Sequence, residues 1–145
     1  MSFFKSMNIS SSGLAAQRIR MNILSGNLAN VNTTRTPEGG PYRRKDAVFS
    51  SVPTGNPFED FISEGWGTQL QKVKVVQIHK DGREPRRVHN PSHPDADRNG
   101  YVDMPNIQVM TEMVNMIAAT RAYEANTTAM NAAKQMVNKA LEIGR

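Results

Sequence analysis

No cysteine occurs in the 145-residue chain. Disulfides and thiolate metal sites are therefore excluded, while the compartment is left open. Aromatic residues make up only 6% of the chain, with one Trp, and hydrophobic residues 38%. That is low for the core of a compact enzyme, though too high for a disordered chain. No run of about 18 apolar residues exists, so no membrane span is expected. A signal-peptide pattern is missing too: Phe3 and Phe4 are followed by Lys5, Ser6 and Asn8, not by an apolar stretch. Export, if it occurs, is expected by a route that removes nothing from the N-terminus. Acidic groups are absent from residues 1–33, which hold Lys5, Arg18 and Arg20. Residues 34–103 hold eleven basic and ten acidic groups, and residues 104–145 four and three. The net charge of +5 is thus spread along the chain, without the concentrated basic stripe of a phosphate-binding protein. No nucleophile motif, glycine-rich phosphate loop or pair of buried carboxylates is visible, so no catalytic residue and no cofactor is expected.

Proline and glycine are also missing from Asn106 to Ile143. What fills that stretch is a helical pattern. Val109, Met116, Tyr123, Met130 and Val137 stand seven apart, with Met113 and Leu141 four residues after Val109 and Val137. A second row is almost all small: Ala118, Ala122, Ala125, Ala129, Ala132, Met136 and Ala140. Gly144 stands where a C′ glycine would end the helix. Asp103 is the expected N-cap, with Pro105 in the first turn. Such a helix is roughly 55 Å long at about 1.5 Å per residue. It is suited to lying along other helices. Its five methionines, Met110, Met113, Met116, Met130 and Met136, suit either core filling or packing against non-identical neighbours.

A second helix is predicted from Phe3 to Val31. Met7, Leu14, Met21 and Leu28 stand seven apart, and Leu24 and Val31 complete a heptad-like seam. Ser10, Ser11, Ser12 and Gly13 weaken its start, which is expected to fray in an isolated subunit. Asn27, Asn30 and Asn32 crowd its end, where asparagine suits termination and polar contacts.

Between the helices lies a β-rich region. Thr33 to Pro41 is turn chemistry. Tyr42 to Ser50 reads as a short strand. Residues 52–67 form an irregular insert carrying Phe58, Phe61 and Trp66. Leu70 to His79 reads as the best strand, and its apolar parity slips between Val75 and Val76, which predicts a bulge. Asp81-Gly82 is a hairpin signal, with Glu84 to His89 expected to return as partner strand. Tyr101-Val102 is a short edge segment. The fold class is therefore α+β: long terminal helices pairing as an antiparallel, coiled-coil-like rod around a small inserted β module. The division is residues 1–33, 34–103 and 104–145. Two helices leave much of the seams uncovered, which predicts self-association or co-assembly.

Three chemical candidates compete with plainer readings. Asp95 to Asp103 matches the first nine positions of an EF-hand loop, but Asn106 replaces the bidentate glutamate and prolines deny an incoming helix. The plainer reading is a β-turn with Gly100 at positive φ. His79, His89 and His93 with Asp95 could hold a metal, but Pro91 and Pro94 deny the helix that would align them, so no metal site is expected. Three glycosylation sequons at Asn8, Asn32 and Asn126 are discounted, since two lie inside predicted helices.

The stretch Ser12 to Thr33, with its Asn27-Leu-Ala-Asn-Val31 core, resembles the signature of bacterial flagellar rod and hook proteins. Gly40-Pro-Tyr-Arg43, Val48-Phe49, His93-Pro-Asp-Ala-Asp97, Asn99-Gly-Tyr-Val102, Met104-Pro-Asn106, Glu112-Met-Val114 and Arg121-Ala-Tyr-Glu-Ala-Asn126 resemble the C-type proximal rod subunits, the FlgC family. Ser25-Gly26 departs from the usual signature, and residues 53–67 match no family pattern. The resemblance implies a structural rod subunit of the basal body, with terminal helices packed into an inner tube around the export channel. Its implied partners are copies of itself, other rod subunits, the inner-membrane ring and the export apparatus, with no nucleic acid. Its implied place is the periplasmic rod, a drive shaft reached by flagellar type III export. Assembly contacts are expected at Leu14, Met21, Leu24, Leu28, Val31, Val109, Met113, Met116, Tyr123, Met130 and Val137. Asn27, Asn30 and Asn32 are expected to fix the bend from helix to outer module. The competing readings are a small basic adaptor or regulator that binds partner helices or nucleic acid, and a calcium-binding module.

Overall fold

A computed structural model describes residues 3–53 and 71–143. The chain runs α1 (Phe3–Ala29), β1 (Lys45–Pro53), β2 (Gln71–Lys80), β3 (Arg86–His89), β4 (Tyr101–Met104) and α2 (Val109–Ile143). The class is α+β, with two long helices around a small antiparallel β region. The expected strand start at Leu70, the insert aromatics Phe58, Phe61 and Trp66, and the Gly144 cap lie outside the described residues.

The helices run antiparallel. Gly13 lies against Asn126, Met21 against Thr120, and Asn27 against Glu112. On α2 the face toward α1 alternates steps of four and three: Glu112, Met116, Ala119, Tyr123, Asn126, Met130, Ala133 and Val137. Glu112, Ala119 and Ala133 are buried and the others half-buried. On α1, Ala16, Leu24 and Asn27 are buried, with Leu14, Met21 and Leu28 half-buried beside them. Small residues set this contact. A Cβ on Gly13 would sit 3.0 Å from Asn126 Oδ1, so the bare Gly13 backbone makes room for the Asn126 side-chain amide. The serine and glycine run expected to fray is instead helical. Ser12 Oγ donates to the Ile9 carbonyl and accepts the Val73 N–H at 3.2 Å, so the run joins α1 to β2.

β1 and β2 pair antiparallel from Lys45–Lys80 to Pro53–Gln71. The register moves from Val48–Gln77 to Phe49–Val75, leaving Val76 as the extra residue. The parity slip in the sequence marks this bulge. Strand β1 starts three residues later than expected, because the Tyr42 N–H bonds to the Thr33 carbonyl instead of a ladder.

Two expectations are corrected. The Asp81-Gly82 turn does not bring Glu84–His89 back onto β2. β1 pairs with one edge of β2, the Asp81 N–H extends that ladder to the Arg44 carbonyl, and Pro85, just before the next strand, has no N–H to offer the other edge. β3 pairs instead with β4, Arg86–Met104 to His89–Tyr101, across a loop closed at Asn90 and Gly100. Gly100 has φ 76, the positive value of the β-turn reading. Nor does Asp103 cap α2. It lies in β4, paired with Arg87. Pro105 is buried before the helix, and the first helical N–H, Glu112, bonds to the Gln108 carbonyl.

Among the described residues, the buried apolar set is Ala16, Leu24, Val102, Ile107, Ala119 and Ala133. Leu24 is the largest of these that is fully buried. Leu24→Ala is expected to lower unfolding free energy by about 2–4 kcal/mol, read from the urea midpoint at unchanged slope.

Candidate assembly surface and helix junction

The two helices and β1 meet at one polar junction. Asn27, in the last turn of α1, is fully buried. Its Nδ2 donates to the Lys45 carbonyl at 2.8 Å and to Glu112 Oε2 at 2.9 Å. Its Oδ1 accepts the Lys45 N–H at 2.9 Å and the Tyr42 hydroxyl at 3.1 Å. A side-chain amide offers two donors and two acceptor sites, and all four are used. Toward Lys45 it behaves as a one-residue strand partner.

Glu112, in the first turn of α2, is 1% exposed. Its Oε1 accepts from Arg44 Nε at 2.7 Å, and Arg44 also reaches Asp46. An unpaired carboxylate at this depth would be costly; Arg44 and Asn27 compensate it. Burial works to lower the Arg44 pKa. The hydrogen bond and charge of Glu112, with Asp46, outweigh it and hold the guanidinium above its ordinary value. Burial, and then the Glu112 charge, push the Tyr42 phenol up from its ordinary 10.0. Asn30 Nδ2 bonds the Gly26 carbonyl and its Oδ1 accepts the Thr33 hydroxyl, closing the end of α1. Asn32 is exposed.

Along the helices the structure separates the expected contact residues. Leu24 is buried within the chain, and Leu14, Met21, Leu28, Met116, Tyr123, Met130 and Val137 are half-buried in the α1–α2 contact; Val31 is half-buried just past α1. Val109 and Met113 are exposed. The face of α2 away from α1 carries Met110, Val114 and Ile117, with exposures of 73%, 63% and 54%. They follow one another at i, i+4 and i+7, roughly 200° around the helix from Glu112 and Ala119 at about 100° per residue. Of the alanine row, Ala122 is half-buried and the rest, with Met136, are exposed. That row therefore faces away from α1 over most of its length.

Sequence reasoning missed Tyr42, Arg44 and Glu112 as junction residues, and Met110, Val114 and Ile117 as the open stripe. A signal existed for both. Glu112 is a lone acid seven residues before Ala119 in an apolar seam, and the stripe has helical spacing. The loop candidates are dispersed into local bonds. Asp95 accepts the Thr34 hydroxyl, Asp97 accepts the Arg98 N–H, and His93 Nδ1 accepts the Asp95 N–H. His89 packs edge-to-face on Tyr101, while His79 lies opposite Asp46 in the hairpin. Among the described residues no three such groups converge on a metal position.

Asn27→Ala is expected to cost about 3 kcal/mol, because it strands buried donors and acceptors on Lys45 and Glu112. Amide exchange at Lys45 should accelerate with it. The Tyr42 contribution is full below its unfolded pKa near 10.0 and is lost as pH rises through the higher folded value. Urea midpoints followed above pH 9 should fall more steeply for the parent chain than for Tyr42→Phe, which lacks the titrating phenol.

A family profile described as "Flagella basal body rod protein" matches residues 7–35, and one described as "Flagellar basal body rod FlgEFG protein C-terminal" matches residues 98–143. The chain is also similar along its length to proteins named flagellar basal-body rod protein FlgC. It is 45% identical to that of Bacillus subtilis, with 100% of both chains covered. Against that of Borreliella burgdorferi it is 44% identical, covering 99% of this chain and 98% of the relative. Against that of Salmonella typhimurium it is 37% identical, again over 100% of both. The first profile covers the Asn27 end of α1 and the second the whole of α2 with Glu112, so that, with the full-length similarity, the chain belongs to the FlgC family of flagellar basal-body rod proteins.

Proposed function

We propose that this chain is a structural subunit of the proximal rod of the bacterial flagellum, assembling with copies of itself and with other rod subunits through its terminal helices. Residues 1–33 and 104–145 then build the inner tube around the export channel, and residues 34–103 form the outer module. The rod crosses the periplasm as a drive shaft, which the subunit reaches by flagellar export. Torque passes through many repeated helix contacts, with no single reacting group.

The observation that carries this reading is the Met110, Val114 and Ile117 stripe. A lone helix pair has no use for an apolar row facing water, whereas a helical assembly buries it. Val109, Met113 and the outward alanine row widen the same surface. The half-buried residues of the α1–α2 contact contribute less directly, by holding the hairpin that presents it. Asn27 and Asn30 fix the angle at which the chain leaves α1. No observation favours the basic adaptor. Lys80, Arg83, Arg87 and Arg44 are each paired with a carboxylate.

Val114→Asp with Ile117→Asp is expected to abolish rod assembly and swimming. The purified variant should keep its unfolding free energy within about 0.5 kcal/mol, since both positions face solvent in the single chain. Met116→Asp, on the intrachain face, should instead destabilise the isolated chain. Normal swimming by the Val114→Asp, Ile117→Asp strain would overturn the reading.

A further inference from the structure

The 33–43 loop stands as a wall between two depressions of opposite charge. On one side a groove of about 500 Å³ is lined by Arg35, Arg43, Lys45 and Lys80, with Glu38 its one acid. On the other a hollow of about 240 Å³ is lined by Asp95, Asp97 and Asp103, with Arg87 its one base. The two share only Pro41. Thr33 and Arg35 line the cationic side, and Thr34 between them lines the acidic side. Side chains alternate in this manner along extended backbone, so one thin loop serves both. Its tip is closed by the Gly39 N–H on the Thr36 carbonyl and the Thr36 N–H on the Gly40 carbonyl, both at 2.9 Å.

Neither depression is neutralised within the chain. Lys80 is bound to Glu38 at 2.8 Å and Asp103 to Arg87 at 3.1 Å, all four side chains being exposed. Among the described residues Arg35, Arg43 and Lys45 have no carboxylate partner, and Asp95 and Asp97 have no cationic one. The groove therefore keeps an excess of positive charge and the hollow an excess of negative charge. The acids are presented on an ordered loop. Asp95 Oδ2 accepts the Thr34 hydroxyl at 2.7 Å, its N–H bonds to His93 Nδ1, and the Gly100 N–H closes a turn on the Asp97 carbonyl. A loop ordered before contact loses little entropy on docking. The Thr34 bond also keeps Asp95 on its own side of the wall, away from the groove of the same chain.

We propose that the Arg35–Arg43–Lys45–Lys80 groove receives the Asp95–Asp97 loop of a second copy of this chain. The basic and acidic sides lie across the wall from each other. Each copy thus offers one side to the neighbour before it and the other to the neighbour behind. A head-to-tail contact of this kind builds a ring or an open helical row, not a closed pair. Exposed ion pairs are worth at most about 1 kcal/mol each. The contact therefore sets the register between outer modules, and the helix stripe supplies most of the adhesion. It rests on the reading of the chain as a self-assembling subunit, and adds which faces of the outer modules meet.

Carbodiimide cross-linking of the purified full-length chain is the test, since it joins a lysine amine to a touching carboxylate as an amide. Isotope-labelled and unlabelled copies are mixed, so that links between copies are told apart by mass. Lys45 or Lys80 of one copy is expected to be linked to Asp95 or Asp97 of another, less so as salt is raised. Arg35→Glu with Arg43→Glu keeps both lysines, yet should reduce these links roughly tenfold or more. Asp95→Asn with Asp97→Asn, which keeps the shape of the loop, should do the same. Mixing the two defective variants should restore links in one direction only, from lysines of the asparagine variant to aspartates of the glutamate variant. No link between copies, links to carboxylates elsewhere on the chain, or no restoration on mixing overturns the proposal. Links in intact cells that run only to a different protein would overturn the choice of a second copy. Both variants leave Val114 and Ile117 untouched. The links read the outer modules, whereas the swimming of the Val114→Asp, Ile117→Asp strain reads the rod assignment, so the two ideas fail separately.

Discussion

The side-chain amide of Asn27 is the point on which the rest of the arrangement depends. Its four hydrogen-bonding positions are all engaged, by Lys45 twice, by Tyr42 and by Glu112. Three elements are thereby held at fixed angles: the end of α1, the start of β1 and the start of α2. Aspartate would lose both donors and place a second charge beside Glu112. Glutamine would push the amide one carbon too far to serve the Lys45 backbone. Glu112 can be buried only because Asn27 and Arg44 take its two oxygens, and Arg44 stays in place because Asp46 shares it. Polar networks of this kind stabilise only when complete. Among the described residues, this one has no vacancy at its centre.

That junction frees the helices from having to grip each other with bulk. Beyond Asn27 the fully buried positions of the contact are small, Ala16, Ala119 and Ala133, with Leu24 the exception, and Gly13 makes room for the Asn126 side chain. Larger side chains, Leu24 apart, flank the contact or face outward. The chain thus divides its apolar surface. A modest share holds the hairpin, and Met110, Val114 and Ile117 are left exposed in the single chain. In a rod subunit the division makes physical sense. A helix pair that satisfied all its apolar surface alone would have nothing left with which to assemble.

The β region is attached to the helices at two separated places. At one, Lys45 leaves the Asn27 amide and becomes the first residue of β1. At the other, the Ser12 hydroxyl takes the Val73 N–H. Two anchors on one helix define the direction of the hairpin, and the bulge at Val76 adjusts its twist. Beside the hairpin base, the 33–43 loop turns at Gly39 and Gly40, both at positive φ.

Several features were legible in the sequence because their causes are local. Seven-residue spacing marked both helices and their antiparallel pairing. The slip in parity at Val76 marked the bulge, and Gly100 marked a turn. Strand partnership was not legible in this way. Asp81-Gly82 is a good turn signal, yet the strand that follows it pairs with β4 and not with β2, a choice no local signal announces. The start of α2 was misread for a related reason: the ladder to β3 claims Asp103 before it can cap. The junction was the least legible part. The partners of Asn27 lie 15, 18 and 85 positions away, and no periodicity reports contacts at that range. The choice of which α2 row meets α1 was likewise undetermined. Both rows repeat with a helical period, and only the docking of Glu112 onto Asn27 sets the rotation. The amino-acid sequence by itself determined the two helices, the turns and the surplus of apolar surface, all of which arise from neighbours along the chain. Only the tertiary structure decided which face is spent inside the subunit and which is left exposed, because that choice is made by a buried hydrogen-bond network between distant residues.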